Sequence, residues 1–145
     1  MSLDKKNMYP LVTVGVLVVA SDGEILLVKS PKWNVDYTIP GGKVEMGETR
    51  EEAAKREIGE ETGLRIVDLR FAFVQDSIYS QEFKKPNHFV MNDFVGRLSP
   101  DCSKDQVLLN EEGEEYLWIK PEKALTLSLN KELYPLIQWY LAHPY

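Results

Sequence analysis

Cysteine is almost missing from this chain: Cys102 is the single one in 145 residues. It can close no internal disulfide and has no partner cysteines with which to hold a metal. A reducing, cytoplasmic setting is therefore the expected one. Positive charge is short as well. There are 17 Lys and Arg against 23 Asp and Glu, a net charge of −6 with a pI near 5.0. That balance argues against a nucleic-acid-binding surface and against attraction to anionic membranes. The apolar run from residue 11 to residue 20 is too short to span a bilayer. Lys5 and Lys6 ahead of it imitate a signal peptide, but Tyr9-Pro10 interrupts the approach and no small-x-small cleavage site follows. Repeats, low-complexity stretches and linkers are also lacking. What remains is a globular composition, 43% hydrophobic and 28% charged, sufficient for one domain with a sizeable core. Residues 1–8 read as a flexible tail and residues 9–145 as the domain.

The valine-rich run 11–20 suits a buried strand, joined through Ser21-Asp22-Gly23 to residues 24–29 as a hairpin. Residues 37–39 read as a short strand, 64–78 as one long or bent strand, and 88–98 and 114–119 as two more. Helices are expected over 49–62 and 130–141. Asn130 would cap the second, with Pro135 tolerated near its first turn. Loops fill 30–36, 79–87 and 99–110, and 121–124 is a turn. Strands interleaved with two helices predict an α/β fold, a mixed sheet with a helix on each face. The apolar strand 88–98 serves either as core or as the interface of a homodimer.

One stretch, residues 41–64, carries the densest pattern: GGKVEMGETREEAAKREIGEETGL. Pro40 holds Ile39 extended, and Gly41-Gly42 reads as a turn that takes positive φ or lets the backbone approach another group closely. Thr49 with Glu52 is a capping box that starts the helix, and Gly63 stops it. Glu57, Glu60 and Glu61 stand at i, i+3 and i+4, within an arc of roughly 100°. On a solvated face each like-charge pair costs only about 0.2–0.5 kcal/mol. Sheltered from water, charges about 6 Å apart repel by roughly 3 kcal/mol at an effective dielectric near 20. A solvated acidic face needs nothing further. A sheltered cluster needs a cation, and oxygen-only ligands suit Mg²⁺, Mn²⁺ or Ca²⁺.

Counted from Gly42, five residues lead to Glu48 and seven more to Arg56-Glu57-Ile58-Gly59-Glu60-Glu61-Thr62-Gly63-Leu64. This resembles the Nudix box, G-x5-E-x7-R-E-U-x-E-E-x-G-U with U aliphatic, over residues 42–64, and every specified position matches. By average composition a chance match is on the order of one in ten million, so the resemblance is specific. It implies a Nudix-type α/β/α sandwich and a Mg²⁺-dependent hydrolase, with Mn²⁺ as substitute, acting on the pyrophosphate of a nucleoside diphosphate derivative. It implies that Glu57, Glu60 and Glu61 are metal ligands together with the Gly41 carbonyl. Glu60 is favoured as the base that activates water, and Arg56 as the residue that holds the box glutamates. Glu48 reads as a helper of the same kind or as a helix-dipole partner.

Outside the box, one of Glu111, Glu112, Glu114 and Glu115 would add a further carboxylate, and Glu112 is the choice. Trp33 and Tyr37 are candidates to stack on a nucleobase, Gly42 to admit the diphosphate, and Asn130 to read the base. His88 and His143 carry no such signal. The lead-in Trp33…Tyr37-x-Ile39-Pro40-Gly41-Gly42 resembles MutT-type members, which places nucleoside triphosphates first among substrates. ADP-ribose and dinucleoside polyphosphates follow, and a catalytically silent nucleotide sensor is the alternative outside enzymes. The partner implied is a small nucleotide, with neither nucleic acid nor membrane.

Overall fold

A computed structural model describes residues 8–145. The tail expected over residues 1–8 lies, except for Met8, outside the described residues. The elements are β1 (Leu11–Val19), β2 (Ile25–Lys29), β3 (Gly41–Lys43), α1 (Arg50–Thr62), β4 (Ile66–Ile78), β5 (His88–Leu98), β6 (Glu115–Ile119), α2 (Pro121–Ala124) and α3 (Leu133–Ala142). Among the described residues no helix is long and apolar enough to cross a membrane.

β1 is the axis of the sheet. It runs parallel to β5 along its whole length, Leu11 opposite Phe89 through Val19 opposite Arg97. Its other edge is divided: Thr13 to Gly15 pair antiparallel with β3, and Val19 pairs with β2 beyond the hairpin. β6 extends the sheet from β2, and β4 from β5, giving a mixed six-stranded sheet. Alternation along β1 sorts its side chains between two faces. Val14, Val16 and Val18 pack with Ala53, Ala54 and Ile58 of α1. Leu17 and Val19 pack with Leu133, Leu136 and Ile137 of α3. The sheet thus has a helix on each face, as the sequence predicts.

Four expectations are corrected. Gly41-Gly42 is not a turn but strand β3, and neither glycine has positive φ. The residues before it make only isolated bridges, Val28 with Thr38 and Tyr37 with Leu129, so no strand forms over 37–39. The segment 121–124 closes into one helical turn, α2. Asn130 does not cap α3. The helix follows Glu132, and the Leu133 N–H donates to the Asn130 backbone carbonyl at 2.9 Å, leaving the Asn130 side chain buried. Strand β5 lies between β4 and β1 with Phe89, Phe94 and Val95 buried, so it belongs to the core.

Candidate active site

The capping box forms as the sequence reads. The Glu52 N–H donates to Thr49 Oγ1 at 3.1 Å, and the Thr49 N–H to Glu52 Oε1 at 3.0 Å. Gly63 ends the helix in the left-handed region at φ 73°. Ala53, Ala54 and Ile58 are fully buried against the sheet. Glu57 and Glu61 share that inward arc and are carried down with the alanines, Glu57 to 8% exposure. Oxygens of Glu57, Glu61 and Glu112 come within 4.8 Å of one another. Glu112 arrives from the loop before β6, where Lys32 Nζ donates to its Oε1 at 2.7 Å.

Three carboxylates are met by Lys32 on Glu112 and by Arg56 on Glu57, with no cationic side chain on Glu61 among the described residues, and the pKa values record the imbalance. Burial, then the Glu112 and Glu57 carboxylates, push Glu61 up to about 9. Burial also pushes Glu57 up against the pull of Arg56, while Lys32 holds Glu112 below the usual range. A donor set of hard oxygens with excess negative charge suits Mg²⁺ or Mn²⁺. The backbone leaves room for it. A Cβ on Gly42 would stand 2.5 Å from the Glu57 carboxyl carbon, and one on Gly41 2.2 Å from the Val14 carbonyl oxygen. Close approach, not positive φ, is what these glycines supply. Gly41 reaches the cluster through its N–H, which donates to Glu61 Oε2 at 2.8 Å.

Arg56 does not face the open cleft with a free guanidinium. Its Nε and Nη2 grip both oxygens of Glu48 at 2.6 and 2.9 Å. Nη1 donates to Glu57 at 2.9 Å and to Glu60 at 3.2 Å, and Nη2 also to the Lys43 carbonyl at 2.9 Å. Such a fork fixes carboxylate rotamers. It also holds Glu48 down to about 2. Glu60 stays on the rim of the cleft, its side chain 56% exposed, outside the group formed by Glu57, Glu61 and Glu112.

The cluster opens into a cleft of about 510 Å³ that runs over β1 and β5 to the start of α3. Trp33 lines it and meets Phe83 edge to face at 5.0 Å, and Phe83 meets Phe89 likewise at 5.1 Å. Gly42 and Asn130 line the cleft too. Tyr37 does not. Its ring packs into the core under α3, and its hydroxyl donates to Glu115 at 3.4 Å.

The inner end holds residues that sequence reasoning missed: Asp93, Glu132 and, behind them, Gln75. Gln75 Nε2 donates to Asp93 Oδ2 at 2.8 Å and to the Glu132 backbone carbonyl at 2.9 Å. A signal was present for Asp93, a charge in the middle of a strand otherwise fit for the core. Glu132 had none beyond a polar tripeptide between two leucines.

Burial pushes the Asp93 carboxyl up to about 7 from its ordinary 3.8. The folded protein then holds a proton that the unfolded chain releases above pH 4. Stability is unaffected by this group below that pH, falls as pH rises towards 7, and stays reduced above it. The loss is on the order of 4 kcal/mol across that window. Asp93→Asn should remove that share of the pH dependence. Thermal denaturation at pH 4.5 and pH 8 checks it: the variant should gain on wild type at the higher pH only.

The α/β/α sandwich has a box helix that brings carboxylates to a glycine strand at the mouth of an aromatic-walled cleft, a donor set that could hold a hard cation. Comparison with known proteins identifies the class. The NUDIX domain model matches residues 9–140, and the chain belongs to the Nudix family, a family of pyrophosphohydrolases. The nucleoside triphosphatase NudI of Escherichia coli K12 is 32% identical over 126 residues, 81% of this chain and 88% of that protein. The NAD-capped RNA hydrolase NudC of Photobacterium profundum is 29% identical over 90% of this chain, which spans only 49% of that relative. Among solved structures, a MutT Nudix hydrolase from Burkholderia pseudomallei matches with a TM-score of 0.73 at 27% identity, covering 90% of this chain and 98% of that one.

Proposed function

We propose that this chain is a Mg²⁺-dependent pyrophosphohydrolase of nucleoside triphosphates. The observation that carries the reading is a single cleft with a carboxylate cluster at one end and an aromatic, hydrogen-bonding interior at the other. Glu57, Glu61 and Glu112 would hold the cation, with Gly41 beside them. When bound, Mg²⁺ offsets phosphate charge and lowers the pKa of a coordinated water. Lys32, paired with Glu112 at 2.7 Å, lines the cleft beside the cluster, where its charge would also attract phosphate oxygens. In this reading Glu60, on the rim, takes the proton of that coordinated water. Arg56 keeps Glu57 and Glu60 aimed while Glu48 anchors it from behind. Trp33 and Phe83 wall the path along which the nucleoside enters, and a reducing cytoplasm suits the unpaired Cys102.

The test is phosphate release from a nucleotide panel with and without Mg²⁺, coupled and uncoupled to inorganic pyrophosphatase. The panel holds the common triphosphates, ADP-ribose, dinucleoside polyphosphates and nucleotide sugars. Triphosphate turnover abolished by a chelator is the expected result. Preferential turnover of ADP-ribose or a dinucleoside polyphosphate would replace the substrate assignment. Tight nucleotide binding without turnover would replace the enzyme by a sensor.

A further inference from the structure

Residues 30–36 and 79–87 read as two separate loops in sequence, yet in space they meet. Neither segment belongs to a strand of the sheet, so their backbone groups need partners elsewhere. They find them in each other. The Asn34 N–H donates to the Glu82 carbonyl at 2.6 Å, and the Lys84 N–H to the Lys32 carbonyl at 2.9 Å. Between these bonds Trp33 and Phe83 form an antiparallel bridge, and Asn34 Nδ2 adds a bond to the Gln81 carbonyl at 3.0 Å. Both ends of the pair are tied down. At the carboxylate cluster Lys32 Nζ holds Glu112. At the inner end the Lys131 N–H, between cleft-lining Asn130 and Glu132, donates to Glu82 Oε1 at 2.9 Å. The two loops thus make one strap along the cleft, with Trp33 and Phe83 lining it. Its entry is strained: Tyr79 stands at φ 49°, its N–H donating to the Asn87 carbonyl at 2.9 Å. Such a conformation persists where surrounding contacts over-determine it.

We propose that Glu82 is a positioning residue for substrate binding, joining residues 30–36, residues 79–87 and the approach to α3 into one strap that fixes the aromatic wall of the cleft. The inference rests on the reading of the cleft as a nucleotide site and adds a residue that shapes it from behind. All three polar parts of Glu82 are committed. Its N–H donates to the buried Ser80 Oγ at 3.2 Å, its carbonyl takes Asn34, and its carboxylate takes Lys131. Glu82 does not line the cleft, so it acts through Trp33 and Phe83, which do. A wall free to part from its neighbour would have to be ordered by each arriving ligand, at the expense of affinity. A wall already ordered by the fold imposes no such cost.

Two variants at one position test this on the full chain. Glu82→Gln keeps an oxygen for the Lys131 N–H and loses the charge, while Glu82→Ala loses both. Amide hydrogen exchange followed by NMR, without ligand, reads the strap directly. Glu82→Ala should quicken the Asn34 and Lys84 amides about 10-fold, the scale of one lost hydrogen bond to a charged group, and leave those of α1 unchanged. In triphosphate turnover it should raise KM about 10-fold with kcat within about twofold, the pattern of lost binding rather than lost chemistry. Glu82→Gln should track wild type in both measurements. The inference is overturned if the Asn34 and Lys84 amides are unprotected in wild type, or as slow in Glu82→Ala as in wild type. It is overturned equally if amides throughout the chain quicken together, which would make Glu82 a general stabiliser. Gln behaving as Ala would assign the effect to charge and remove the bond from the argument. A fall in kcat at unchanged KM would take Glu82 out of substrate binding. If wild type turns over no nucleotide, the hydrolase reading fails and the exchange rates alone decide the strap.

Discussion

Glu57→Gln should lower kcat by roughly 10²–10⁴-fold, with a sharply higher Mg²⁺ requirement. The scale is several kcal/mol of charge stabilisation at about 1.4 kcal/mol per tenfold. Glu57 is the least exposed residue of the three clustered glutamates and the one that Arg56 grips directly. An amide in its place keeps the shape, loses the charge and points a donor or a weaker oxygen at the cation. Glu60→Gln is the companion. As the base it too should cost about 10²–10⁴ in kcat, but it stands outside the cluster, so the Mg²⁺ concentration for half-maximal rate should hardly move. A magnesium titration of both variants, at saturating nucleotide, reads the difference. Near-normal turnover by Glu60→Gln would transfer the base to Glu57 or Glu112. A shifted Mg²⁺ requirement in that variant would make Glu60 a ligand instead.

The second large effect concerns stability. Gly41→Ala drives a methyl to 2.2 Å from the Val14 carbonyl oxygen and 2.9 Å from the Gly15 Cα. Both are backbone atoms of the central strand, so relief means parting β3 from β1. A loss of about 3 kcal/mol or more is expected, the upper range for overpacking. Gly42→Ala looks similar on paper, but its methyl meets only the end of the Glu57 side chain. That carboxylate can swing away, so the chain should fold nearly as well and bind Mg²⁺ poorly. Gly59→Ala is the control. A Cβ there meets nothing within 4 Å on an exposed helical turn, and helix propensity predicts a gain of about 0.8–1 kcal/mol. Denaturant midpoints for the three variants, with Mg²⁺ titrations, order them. Equal midpoints for Gly41→Ala and Gly59→Ala would mean that β3 tolerates separation from β1.

The box helix was legible because its information is local. Thr49, Glu52 and Gly63 set its ends, and residues 57, 60 and 61 follow from its period. Period alone could not tell which glutamates go inward, and the packing of Ala53, Ala54 and Ile58 decides that for Glu57 and Glu61 over Glu60. Strand β5 was legible to the residue from its Phe and Val content and its flanks. Strand β3 was not, since two glycines and a lysine carry no alternation and their pairing depends on β1, far upstream. Asn130 looked like a cap because caps are local motifs. Its burial in the cleft that Asp93 also lines depends on β5 meeting the start of α3, which no window of sequence contains. The choice of Glu112 among four neighbouring glutamates is of the same kind, fixed by where its loop passes Lys32 and α1.

The parallel pairing of β1 with β5 sets the order in which this protein can assemble during synthesis. Asn92, 79 residues further on, donates to the Thr13 carbonyl. At about 5–20 residues per second the ribosome needs about 4–16 s to deliver that partner. Throughout the interval β1 has only the short β2 hairpin and the β3 glycines along one edge, and its other edge is an open apolar template. The carboxylates of α1 emerge before the sheet that will bury them is complete. The cation site is therefore a late product of folding, and the nascent chain passes through its most adhesive state just before it becomes able to bind metal.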